Sequence, residues 1–97
     1  MTIKTTAFEP DKYFRTSAAQ AHLIADAMES GDAGYIADAV GIVARNQGMG
    51  QIAESAGLSR QALYSTLSGR GNPTLSTLLK VFAALNLELT VREKTAA

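Results

Sequence analysis

The chain has 97 residues, enough for one domain with a modest core, and its 46 % apolar and 19 % charged content is that of a soluble globular protein. It holds no cysteine, which excludes a disulfide framework and a thiolate metal site, and it shows neither a secretory leader nor a membrane-length apolar run, which points to the cytoplasm. Formal net charge is zero but uneven, about −2 over residues 1–47 and +2 over residues 48–97.

Residues 1–16 read as an N-terminal arm that ends its aperiodic part at Pro10. Asp11 to Phe14 can form one helical turn, with Phe8, Tyr13 and Phe14 as an aromatic anchor. Residues 17–48 read as two helices. Ser17 caps the first, which runs to about Glu29 with Leu23, Ile24, Ala27 and Met28 as its apolar stripe. Asp32 caps the second, which runs to about Asn46 with Ile36, Ala39, Val40 and Val43 inward. Gly48 and Gly50 flank Met49 and mark a turn.

Residues 49–69 have the spacing of a helix-turn-helix. In QIAESAGLSRQALYSTLSG, Ile52, Ala53 and Ala56 give the first helix an apolar face. Gly57 suits the tight turn, because glycine reaches positive φ without a Cβ clash. Leu58 plugs the angle between the helices, and Ser59 caps the second. Ala62, Leu63 and Thr66 are expected inside; Arg60, Gln61, Tyr64 and Ser65 are expected outside. Those outward types are among the side chains that pair with base edges and phosphates in the DNA major groove. Arg60 and Arg70 bracket this helix, so a neutral chain still has a positive edge there. With few phosphate contacts per copy, dimeric binding is expected.

Arg70 to Pro73 is a loop by composition. Thr74 then caps a core helix within residues 74–86, with Leu75, Leu78, Leu79 and Phe82 expected in the core. Over residues 87–93 the period changes: Leu87, Leu89 and Val91 alternate with Glu88, Thr90 and Arg92, the pattern of a half-buried strand. A lone strand leaves its backbone groups unpaired. Pairing with the same strand of a second copy solves this, which makes Leu87, Leu89 and Val91 the expected dimer interface.

GLSRQALYSTLS followed by GNPTLSTLLKV, with FEPDKYF before them and LNLELTV after, carries a family resemblance. From about Phe8 to Arg92 the chain resembles the addiction-module antidote proteins, the HigA-like antitoxins with a Cro/C1-type (XRE) helix-turn-helix. The resemblance implies an all-α, lambda-repressor-like domain of five or six helices that acts as a homodimer. It also implies an antitoxin that represses its own operon by binding operator DNA and neutralises a RelE/ParE-like toxin by direct binding. Carried over by position, Ser59, Arg60, Gln61, Tyr64 and Ser65 fall on the DNA-facing recognition helix. Gln51 opens the preceding helix, where glutamine touches phosphate or supports the first contact residue. Arg70 is expected to meet a phosphate in the complex. Two positions depart from the family pattern. Gly50 stands where a Thr or Ser cap is usual, and Gly69-Arg70 replaces a more acidic pair, which makes that loop friendlier to phosphate.

Plainer readings apply to several residues. Arg60 and Gln61 can be solvated surface, Tyr64 can pack over a neighbouring helix, and Arg45 can be a helix-end cation placed against the dipole. His22 reads as a surface side chain, and Asp26, Glu29, Asp32 and Asp38 as a solvated acidic face rather than a metal site. The glycines around residues 48–50 and 69–71 make no phosphate loop, since no strand precedes them and no lysine follows at the needed spacing. No nucleophile–base pair is visible, so no enzyme, cofactor or metal is expected. Two alternatives stay open: a phage-type or host transcriptional regulator of the XRE class without a toxin, and a protein-binding module whose helix-turn-helix no longer reads DNA.

Overall fold

A computed structural model describes residues 17–94, and among them it contains five helices and no strand. These are α1 (Ser17–Ser30), α2 (Ala33–Gln47), α3 (Met49–Ala56), α4 (Arg60–Thr66) and α5 (Leu75–Ala84). None is long and apolar enough to cross a membrane. The arm over residues 1–16, its Phe8, Tyr13 and Phe14 anchor, and the Ser17 side chain lie outside the described residues.

Helix starts follow local chemistry. Asp32 Oδ1 accepts from the Gly34 and Tyr35 amides at 2.9 and 3.3 Å. Ser59 Oγ accepts from Ala62 N, and Thr74 Oγ1 from Thr77 N, at 3.0 and 3.1 Å. Each cap satisfies an amide that has no partner within its own helix. One residue, Gly48, both ends α2 and opens α3 without a side-chain cap. Met49 is buried and Gly50 lies inside α3, so the predicted Gly48–Gly50 turn shrinks to a single residue.

The core gathers Ile24 from α1, Val40 and Val43 from α2, Ile52 and Ala53 from α3, Leu63 and Leu67 around α4, and Val81, Phe82 and Leu85 around α5. The most central element is α3, which packs against α2, α4 and α5; α1 lies mainly on α2. Two of the predicted core positions on α5 are wrong. Leu75 is 61 % and Leu79 is 48 % exposed, while Val81 and Leu85 fill the core beside Phe82. Ala62, predicted inside α4, is also exposed. Seven residues of α4 give two turns, and Leu63 alone within them is buried, so Ala62 falls outside the narrow inner face.

The predicted C-terminal strand does not form within one chain. Residues 87–94 carry no regular secondary structure. The backbone of residues 88–94 finds no backbone partner among the described residues, and without a partner no ladder can form.

Candidate nucleic-acid interface and partner groove

Two turns of helix are presented by a three-residue turn. At Gly57, φ is 74°, a left-handed conformation that a β-carbon disfavours. Gly57 N donates to Glu54 O and Leu58 N to Ala53 O, the paired bonds of a Schellman motif. Leu58 follows the turn and packs on the core beneath it. Ser59 then opens α4, which is rooted by two side chains with no solvent exposure, Leu63 and its C-terminal neighbour Leu67. Everything else on α4 except half-buried Thr66 faces solvent.

All seven predicted DNA-contact residues are exposed: Gln51 on α3, Ser59 at the α4 cap, Arg60, Gln61, Tyr64 and Ser65 on α4, and Arg70 in the following loop. Arg60, Gln61, Tyr64 and Ser65 are spaced i, i+1, i+4 and i+5, which groups them on one side of a helix. Tyr64 is 43 % exposed, so one part of its ring packs and the rest is free. The Arg60 side chain runs close to α3: a β-carbon at Gly50 would stand 3.6 Å from Arg60 Cδ, ordinary contact. Arg60, Arg70 and Arg45 have no ion-pair partner among the described residues, so their guanidinium groups are uncommitted.

Glycines that the periodicity did not single out set how α4 sits. A β-carbon at Gly41 of α2 would collide with Leu67 O, and one at Gly34 would come within 2.5 Å of Gly69 O. A β-carbon at Gly71 would collide with Thr66 O. The end of α4 and its exit loop therefore lie directly on the backbone of α2. Only a GxxxxxxG spacing at Gly34 and Gly41, two turns apart on one helix face, hints at this in the sequence.

Leu87, Leu89 and Val91 occupy a second place. They line a groove of about 460 Å³ together with Ile24, Met28 and Phe82. Arg92 bridges this groove, its guanidinium 3.5 Å from Glu29 Oε2 on α1. Leu87 is partly buried, Leu89 is 38 % exposed and Val91 is 94 % exposed. The predicted dimer residues thus lie beside α1 with their apolar side incompletely covered.

Neither His22 nor the acidic residues build a site. His22 Nε2 lies 3.6 Å from Asp26 Oδ2 on the exposed side of α1. No group of three or more His, Cys, Asp or Glu side chains suited to a metal occurs among the described residues. Asp32 serves as a cap.

A family model described as "Probable addiction module antidote protein" matches residues 4–93. A protein of Haemophilus influenzae (strain ATCC 51907 / DSM 11121 / KW20 / Rd), described only as uncharacterized, is 50 % identical over 62 residues. The match covers 64 % of this chain and spans 64 % of that relative's length. No solved structure matches.

Proposed function

Because the chain belongs to the addiction module antidote family, we propose that it is the antitoxin of a type II toxin–antitoxin module which binds its own operator through α3 and α4. In this reading it acts as a homodimer, represses its operon, and neutralises a RelE/ParE-like toxin by direct contact. The observation that carries the DNA half is the presentation of α4. Leu63 and Leu67 anchor it, Ser59 caps it, and Arg60, Gln61, Tyr64 and Ser65 stand free on its outer side.

The chemistry follows from those groups. Arg60 carries a planar fork that can pair with guanine O6 and N7, and Gln61 an amide that can pair with adenine N6 and N7. Ser65 and the Tyr64 hydroxyl can reach phosphate or base edges. Gln51, Ser59 and Arg70 fix the register on the backbone. Leu87, Leu89 and Val91 join the two copies and so set the distance between the two recognition helices.

Co-expression with the product of a reading frame that adjoins the gene tests the antitoxin half. Growth arrest by that neighbour, relieved by this chain with a stable complex on purification, is the expected result. A neighbour that neither arrests growth nor binds this chain contradicts it.

A further inference from the structure

The C-terminal end of α4 rests on α2 through one backbone contact. Leu67, the residue after α4, has no solvent exposure, and its amide donates to Leu63 O at 2.9 Å. Its carbonyl lies against Gly41, so close that a β-carbon there would collide with it. Two further contacts hold the same segment. A β-carbon at Gly34 would come within 2.5 Å of Gly69 O, and one at Gly71 would collide with Thr66 O. Arg45 also reaches this place, its Nη1 3.3 Å from the β-carbon that Gly41 lacks. The end of a flexible side chain can move aside. The Leu67 carbonyl belongs to an anchored backbone and moves only with α4.

An alanine at position 41 needs roughly 1 Å more room than Leu67 O leaves. With seven residues, α4 is short enough to shift as one body. Ser65 and Tyr64 stand two and three residues before Leu67 and take most of the displacement; Arg60 and Gln61, at the far end, take it as a tilt. Pairing with base edges needs hydrogen-bond geometry held within about 0.5 Å. Attraction of the Arg70 charge to a phosphate tolerates a shift of this size.

We propose that Gly41 is a positioning residue for DNA reading. By letting the Leu67 carbonyl rest on α2, it sets the depth and tilt at which Arg60, Gln61, Tyr64 and Ser65 meet the groove, and Gly34 supports it through Gly69. This rests on the DNA-binding reading above and adds to it a position that governs specificity without touching DNA.

Anisotropy titrations of the full chain test it, on the region upstream of the gene and on a shuffled duplex of equal length, at a temperature where melting curves show the variants folded. Gly41→Ala lowers the ratio of the two affinities about tenfold, and leaves the affinity for shuffled DNA and its salt slope unchanged. Gly34→Ala lowers the ratio by a smaller factor, because Gly69 lies in an exposed loop that yields. Val81→Ala opens space in the core on α5, away from this contact, and keeps the ratio while destabilising the chain. An unchanged ratio in Gly41→Ala, or equal losses on both duplexes, overturns the proposal, since a smaller folded fraction lowers both affinities together. An equal loss of ratio in Val81→Ala assigns the effect to stability, and the same loss in Arg45→Ala assigns it to the guanidinium; either overturns the proposal. Where Gly41→Ala does not fold, Gly34→Ala decides by the same ratio. If neither folds, the contact is a condition of the fold alone and the proposal falls. An intact chain that binds neither duplex, or both alike, brings down the DNA-binding reading itself, and this role with it.

Discussion

Gly41 and Gly50 are both helical glycines near α4, yet their surroundings differ. At Gly41 the Leu67 carbonyl occupies the space a β-carbon would need, and Gly34, about two turns earlier on the same face of α2, meets Gly69 in the same way. At Gly50 a β-carbon would only touch the Arg60 stem at ordinary distance. Opposite responses to the same substitution follow. Gly41→Ala forces α2 and the end of α4 apart and costs about 1–3 kcal/mol. Gly50→Ala removes a poor helix former without a clash and adds roughly 0.5–1 kcal/mol. Thermal melts separate them, with about 4–8 °C per kcal/mol in a domain of this size. Shifts of the same sign would contradict the geometry. Gly41 was not legible in the sequence, because its function depends on a segment 26 residues away that periodicity does not see.

How much of a helix is legible in sequence depends on whether the cause is local. Asp32, Ser59 and Thr74 were legible as caps because a cap oxygen bonds amides only two or three residues ahead. Asn86 was not. It ends α5 with φ 61°, with Asn86 N donating to Ala83 O and Leu87 N to Phe82 O, a Schellman end built on asparagine instead of glycine. The α5 core was misread for another reason. Its apolar residues cover well over half the helix circumference, so the period fixes a helix but not which of the rows Leu75–Leu79 and Leu78–Phe82 faces inward. The tail's alternation was legible, but a strand needs a second strand, and one chain does not supply it. The caps also carry a prediction. Ser59→Ala costs about 1 kcal/mol of stability and frays α4 from the end that holds Arg60. Amide hydrogen exchange should rise at Ala62 and Leu63, whose amides bond to Ser59, while α5 stays protected; unchanged protection at both would contradict this.

For the whole molecule, zero net charge limits how much bulk attraction can contribute to DNA binding. Two site cations per copy, Arg60 and Arg70, give about four in a dimer, so the slope of log K against log salt should be no steeper than about −4. A titration from low to physiological salt measures it, and a much steeper slope would bring cations from elsewhere in the chain into the interface. The proposed dimeric binding also sets a geometry, with half-sites about 34 Å apart. Inserting five base pairs turns one half-site to the opposite face of the duplex and inserting ten moves it about 34 Å further off, so either should abolish tight binding; indifference to both would remove the two-fold arrangement.

Fluorescence anisotropy on two DNA duplexes separates base reading by α4, as proposed, from attraction to the backbone alone. One carries the region upstream of the chain's own gene, the other a shuffled sequence of equal length, both at one salt concentration. The intact chain should prefer the upstream DNA, and Arg60→Ala should lose about 1–3 kcal/mol on that duplex with a much smaller loss on the shuffled one. Equal losses on both duplexes, or no preference by the intact chain, would contradict it.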